Sequence, residues 1–280
     1  MPKVKVNDIQ MYYEVKGKGF PLVMIMGCGG NVEAWDPRLI EGFSKHFKLV
    51  LFDNRGAGRT DLSKGEYTIR LLADDTAGLI NALGIPKAHV LGISMGGAIA
   101  QELAINYPEK VSKLILCSTY SQYCPTQEQS RLSEAMMSQA SVEELTKIVL
   151  SFSFASDYPR DFLRENPVVV FGLTSDFVKE KPDMARHLLQ RGAQYPISPE
   201  GLRLQYDAIL RFNTQARLKQ IKAPTLVLHG RKDTQVRPDQ NGSSLAKGIP
   251  NAKLVFFEKS NHLLAEEMEE VLKVITQFLL

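Results

Sequence analysis

The stretch that most constrains this chain is Gly92-Ile93-Ser94-Met95-Gly96, followed at once by Gly97. An apolar run, Ala88-His89-Val90-Leu91, leads into it, and Ala98-Ile99-Ala100 leads out. The order is strand, tight turn, helix, with a serine at the apex. Gly92 and Gly96 carry no Cβ, so the strand and the helix can approach closely enough for the turn to form, and Gly97 relieves crowding one position later. The serine hydroxyl is pushed up over the sheet edge. It lies at the start of the outgoing helix, where unpaired N–H groups and the helix dipole favour developing negative charge. A nucleophile that forms a tetrahedral oxyanion needs that setting. The same residues also suit a glycine-rich turn with an N-capping serine.

A chain of 280 residues holds one large α/β domain or two small ones. Hydrophobic residues at 44% and charged residues at 23% are ordinary for a soluble globular protein. A net charge of +3 without a run of basic residues gives no footing to nucleic acid or an anionic membrane. The N-terminus lacks the apolar stretch of a signal peptide, and the longest apolar runs (22–26 and 168–171) are far shorter than a membrane span. Three cysteines, Cys28, Cys117 and Cys124, suit a reducing cytoplasm without disulfides.

The first part of the chain alternates strand and helix. Residues 3–6 and 9–15 read as a hairpin turning at Asn7-Asp8. Residues 22–26 and 47–52 are continuous apolar runs, the mark of strands buried on both faces. Residues 67–83 read as a helix closed by Gly84, 98–107 as the helix after the serine, and 113–117 as a further strand. Between 118 and 212 the rhythm changes. Residues 128–137, 142–152, 183–190 and 200–210 read as helices, and only 168–171 could be a buried strand. Strands resume at 225–229 and 253–257, and a last helix runs from 264 to 280. The expected architecture is an α/β core, 1–118 and 214–280, with a helical cap, 119–213, inserted after the sixth strand of a mostly parallel eight-stranded sheet.

A serine hydroxyl needs a base, and the base needs an orienter. Of five histidines, His262 sits in a polar loop between the last strand and the last helix, where open α/β sheets place their active groups. His46, His89, His187 and His229 read as structural, His229 as packing and bonding locally. Asp233 lies four residues past the end of the 225–229 strand and precedes the histidine. Asp239 competes from further along, and Glu266 and Glu267 suit the first turn of the last helix.

The order Ser94, Asp233, His262 is that of the α/β-hydrolase fold, and the chain resembles that family over nearly its whole length. Gly27-Cys28-Gly29-Gly30 resembles the family's oxyanion loop, Asp53-Asn54-Arg55-Gly56-Ala57-Gly58-Arg59-Thr60 its D-x-R-G-x-G-x-S/T stretch, and Ile221-Lys222-Ala223-Pro224-Thr225 the re-entry into the core. The resemblance implies oxyanion donors in the backbone N–H groups of Cys28 and Met95. Where many relatives have His-Gly, this chain has Met26-Gly27, which leaves the bonding of the loop open. Arg55 and Arg59 read as structural. Trp35 either walls the acyl pocket or packs in the core.

The expected function is a carboxylic ester hydrolase acting on small to medium acyl chains without metal or cofactor, as a monomer or homodimer. Enol-lactonase, C–C bond hydrolase and cofactor-free perhydrolase use the same residues; a ligand-binding receptor on this fold is the reading outside enzymology. A serine nucleophile argues against dehalogenases and epoxide hydrolases, which use aspartate. Val32 breaks the G-x-G-x-x-G pattern that Gly27 and Gly29 begin, which argues against dinucleotide binding.

Overall fold

A computed structural model describes residues 2–280. Strands β1 (Lys3–Val6) and β2 (Ile9–Lys16) form the expected hairpin, with Asn7 at φ 51° in its turn. Then follow β3 (Phe20–Ile25), helix α1 (Pro37–Ser44), β4 (Phe47–Phe52), α2 (Ile69–Ala82), β5 (Ala88–Ile93), α3 (Met95–Asn106) and β6 (Val111–Cys117). Six helices come next: α4 (Gln127–Met137), α5 (Val142–Leu150), α6 (Arg160–Glu165), α7 (Ser175–Glu180), α8 (Pro182–Gly192) and α9 (Pro199–Arg211). The chain ends with β7 (Thr225–Gly230), α10 (Pro238–Gly248), β8 (Lys253–Phe257) and α11 (Met268–Leu279).

The eight strands form one sheet in the order β1-β2-β4-β3-β5-β6-β7-β8. The pairs β1–β2 and β2–β4 are antiparallel, and all the others are parallel. Successive side chains on a strand point to opposite faces, so a strand covered on both sides reads as an unbroken apolar run. On β3, Val23 and Ile25 join a core with Leu72 and Leu79 of α2 and Ile99 and Leu103 of α3. Leu22 and Met24 face the other way, onto Phe43 of α1 and Ile275 of α11. Helices α1 and α10 carry no reading at the sequence level; each begins at a proline after a polar residue and buries a narrow face.

The insertion between β6 and β7 has an apolar cluster of its own, including Leu132, Val149, Phe162, Val169 and Phe177. Residues 168–171, the one candidate strand there, lie in a 3₁₀ turn, Pro167–Phe171. Apolar content alone cannot tell a strand from another buried segment. The last helix is also shorter than expected. Leu264 adopts a left-handed conformation (φ 56°), and a 3₁₀ turn, Ala265–Glu267, precedes α11.

Arg55 is structural, as expected. Its guanidinium is buried and binds Asp75 through Nε (2.6 Å) and Nη2 (2.7 Å), Asp8 through Nη2 (2.6 Å) and Ser63 through Nη1 (2.7 Å). Asp75 is equally buried. Removing one partner of a buried pair strands the other charge in the interior. Arg55→Ala is therefore expected to lower unfolding stability by about 3–5 kcal/mol, measured by urea denaturation, with Arg55→Lys giving little rescue because an ammonium cannot reproduce the forked contacts.

Candidate active site

Ser94 stands between β5 and α3 with φ 56° and ψ −123°, a conformation that non-glycine residues rarely adopt. Its neighbours explain how the chain holds it there. A Cβ at Gly92 would overlap the Gly96 carbonyl, one at Gly96 would overlap the Ile25 carbonyl of β3, and one at Gly97 would strike the Thr119 side chain. The turn is further held by Ser94 N–H donating to the Cys117 carbonyl (3.0 Å) and Thr119 Oγ1 donating to the Ser94 carbonyl (2.6 Å). Ser94 occupies the N-cap position of α3, yet its side chain makes no capping bond. The strained backbone aims the hydroxyl away from the helix, into a cavity of about 130 Å³ lined by Cys28, Tyr120, Tyr123, Met136 and Leu202, among others.

Across from the serine lies the loop after β3. A Cβ on Gly27 would sit 3.1 Å from Ser94 Cβ, so only glycine lets this loop come so near without displacing a neighbour. Gly30 N–H bonds the Gly27 carbonyl (3.2 Å), and Gly29 N–H bonds Gln205 Oε1 on α9 (2.9 Å). Gln205 Nε2 in turn bonds the Arg55 carbonyl (2.8 Å), and Asn54 Nδ2 bonds the Met26 carbonyl (2.9 Å). Asp53 takes Val32 N–H on Oδ1 (2.7 Å) and Arg59 N–H on Oδ2 (2.8 Å). The loop at Met26-Gly27 is thus held by Asn54, Asp53 and Gln205, with no imidazole at position 26. Among the described residues, the N–H groups of Cys28 and Met95 donate to no protein acceptor. Burial pushes the Cys28 thiol up to about 12, so it stays protonated and takes no nucleophilic part.

Asp233 and His262 meet at the ends of β7 and β8. His262 Nδ1 lies 2.8 Å from Asp233 Oδ2. A carboxylate only accepts, so Nδ1 carries a proton, and in the neutral ring Nε2 then keeps its lone pair. Asp233 Oδ1 accepts the N–H groups of Gln235 and Val236, each at 2.8 Å. Burial alone would raise the pKa of Asp233 by disfavouring its charged form. The charges of His262 and His229 and their hydrogen bonds outweigh it and bring the carboxyl down to about 2. No hydrogen bond joins Ser94 Oγ to the imidazole in this structure; such bonds are often long before substrate binds.

His229 does more than pack. Its Nε2 donates to the Val236 carbonyl (2.9 Å) and lies 3.3 Å from Asp233 Oδ2, so two imidazoles flank one carboxylate. Its position at the end of β7, four residues before the aspartate, is the sequence signal for it. Glu266 and Glu267 do more than open the last helix. They lie in the 3₁₀ turn that leads into α11, and from there Glu266 accepts Thr174 N–H (2.7 Å), while Glu267 accepts Lys259 N–H (2.9 Å) and Ser260 Oγ–H (2.8 Å), so they also brace the His262 loop.

The 3₁₀ turn at Pro167–Phe171 takes part as well. Asn261 Nδ2 donates to the carbonyls of Val170 and Leu173 (3.1 Å each), and Thr234 Oγ1 donates to Val170 (2.8 Å). A strand would have committed such carbonyls to a ladder; the 3₁₀ turn leaves them for the loops that carry Asp233 and His262. Trp35 takes the packing alternative. It is buried against Met26, Leu39, Ile93 and Met268, and is not among the residues lining the Ser94 cavity.

A family model described as alpha/beta hydrolase fold matches residues 21–268. BpoC of Mycobacterium tuberculosis, provisionally named a non-heme bromoperoxidase, is 30% identical over 257 residues, covering 91% of each chain. The 2-hydroxy-6-oxo-6-phenylhexa-2,4-dienoate hydrolase of Comamonas testosteroni is 28% identical over 266 residues, 92% of this chain and 86% of that one. Among solved structures, the enol-lactonase of Burkholderia xenovorans LB400 superimposes with a TM-score of 0.83 at 24% identity, covering 99% of both chains. A family match over residues 21–268, on a chain whose eight strands form one mostly parallel sheet, means that the chain belongs to the alpha/beta hydrolase fold family.

Proposed function

We propose that this protein hydrolyses small uncharged carboxylic esters through an acyl-enzyme on Ser94. The observation that carries the reading is the strained Ser94 turn facing two unspent backbone N–H groups, with a buried Asp233–His262 pair in the same chain. Ser94 Oγ attacks the ester carbonyl while His262 Nε2 takes its proton. Asp233 holds the imidazole by Nδ1 and stabilises its charged form. The N–H groups of Cys28 and Met95 receive the oxyanion; they are fixed before the reaction and lose nothing by reorganising during it. The imidazolium then protonates the departing alcohol, and water repeats the sequence to release the acid. Every step uses side chains and backbone of this chain.

The insertion acts as a cap over the site in this reading. Its residues Ser133, Met136, Met137, Leu202, Tyr206 and Ile209 close the cavity over Ser94. A cavity of about 130 Å³ is comparable to those that hold a benzene-sized guest, so it suits an acyl group of about six non-hydrogen atoms. Relatives named as hydrolases and lactonases support the reaction class, while the choice of a small ester rests on the cavity.

Turnover of p-nitrophenyl acetate and butanoate tests the reading, with rapid saturable release expected. Stabilisation by these esters without turnover would make the protein a receptor. Ser94→Ala is expected to lower kcat by about 10⁴–10⁶-fold, and an alkyl phosphonate should label the Ser94 peptide and no other, read by mass spectrometry.

Asp233→Asn is expected to lower kcat by about 10⁴-fold, because the amide no longer enforces the tautomer. It also carries a stability signature. A carboxyl held at about 2 when folded, against about 4 when unfolded, stabilises the fold above that ordinary value. That contribution fades as the pH falls through the interval between them. The stability advantage of the unsubstituted protein over Asp233→Asn should therefore narrow from pH 5 to pH 2.5, measured as urea midpoints; an advantage that widens in acid contradicts the placement of the charge.

A further inference from the structure

The loop after β3 is held from two sides. The core holds its ends, through Asn54 at the Met26 carbonyl and Asp53 at Val32 N–H. The insertion holds its middle. Gly29 N–H donates to Gln205 Oε1 (2.9 Å), and Asn31 Nδ2 donates to the carbonyls of Gly192 (2.8 Å) and Tyr195 (2.9 Å), at and just past the end of α8. Gln205 has no exposed surface. It stands on α9 beside Leu202, Tyr206 and Ile209, which line the Ser94 cavity. Its Nε2 donates to the Arg55 carbonyl (2.8 Å), so both ends of the amide are engaged and its orientation is fixed.

A Cβ on Gly27 would lie 3.7 Å from Ser94 Oγ, so the Gly27–Cys28 peptide stands beside the nucleophile. A planar trans peptide points its C=O and N–H in opposite directions. The Gly27 carbonyl accepts Gly30 N–H (3.2 Å), and this sets the direction of Cys28 N–H on the other edge of the same plane. That bond closes a four-residue turn whose third residue, Gly29, has φ 72°. Glycines at 27, 29 and 30 give the backbone wide freedom, so the turn keeps one shape only if it is pinned from outside. Gln205 is the pin, at Gly29 N–H inside the turn. Residues 27–30 are only half-buried, and water bonds such an N–H nearly as well. What a mobile water lacks is a fixed position. Satisfying one backbone donor therefore does not account for a buried glutamine bonded at both ends, whereas fixing the place of Gly29 does.

We infer that Gln205 is a positioning residue for the oxyanion donor: by holding Gly29, it keeps the Gly27–Cys28 peptide aimed. The inference rests on the function proposed above for the role of Cys28 N–H. Gln205 touches no reacting atom, and its effect passes through the loop. A developing oxyanion depends on the aim of its donor far more than the neutral ester does, so the effect falls on kcat and not on KM.

Gln205→Met removes both amide bonds at similar volume. With p-nitrophenyl butanoate, kcat is expected to fall about 10–100-fold while KM stays within about threefold. Propylboronic acid, whose boron bonds Ser94 Oγ and then carries negative charge where the oxyanion forms, should lose affinity by a similar factor. A substitution that merely lowered the folded fraction would lower kcat and leave the boronate affinity unchanged. An unchanged kcat, a loss confined to KM, or an unchanged boronate affinity overturns the inference. Near-ultraviolet circular dichroism checks that the variant folds; should it fail to, Gln205→Asn, one methylene short of Gly29, carries the same test. If the unsubstituted protein turns over no ester, the hydrolase reading fails by itself. Nitrogen-15 relaxation of the Cys28 amide then decides whether Gln205 fixes the peptide: an order parameter that falls from about 0.85 to below about 0.6 in the variant upholds it, and an unchanged one overturns it.

Discussion

The close approach of the turn around Ser94 to strand β3 is the constraint from which the rest of the site follows. Gly96 lies so near the Ile25 carbonyl that no Cβ fits between them, and Gly92 stands equally close to Gly96. This contact forces the backbone of Ser94 into its strained conformation and prevents the side chain from relaxing into an ordinary N-cap. It also sets the distance from Ser94 to the loop after β3, which itself is tolerable only with Gly27 opposite. The strain of one residue is sustained by a parallel sheet buried on both faces, whose packing is worth far more than the local penalty.

The electrostatics of the site rest on a second arrangement, in which a fully buried aspartate receives two backbone N–H groups and lies beside two imidazoles. A charge withdrawn from water in this way survives only if its partners stay in place. Their position depends on the insertion as much as on the core. Carbonyls of Val170 and Leu173 hold Asn261, whose own carbonyl oxygen takes the N–H groups of His262 (2.8 Å) and Thr234 (3.2 Å). On the opposite side, Gln205 of α9 ties Gly29 to Arg55. The insertion, whose residues line the cavity, thus also hydrogen-bonds the loops on both sides of Ser94.

Much of this was legible along the chain. The strands buried on both faces announced themselves as apolar runs, and the glycines around Ser94 as a turn that needs missing side chains. The chain order of Ser94, Asp233 and His262 followed from their places after successive strands. The exceptions share a cause. Residues 168–171 form a 3₁₀ turn because their partners are Asn261 and Thr234, which are remote in sequence. Glu266, in the turn that leads into α11, also reaches Thr174 of the insertion, 92 positions away. Trp35 admitted two readings until the sheet showed which face it occupies.

By itself, then, the sequence determined the class of fold and the order of the loops that carry the candidate residues Ser94, Asp233 and His262, because periodicity and missing Cβ atoms act over a few neighbouring residues. Only the tertiary structure decided what surrounds them: which carbonyls hold the His262 loop and which glutamine holds the loop after β3. Those facts depend on groups up to about 180 positions apart meeting in space, as Gly29 and Gln205 do at a separation of 176. No local pattern encodes such a meeting, since it is set by how the insertion packs on the sheet.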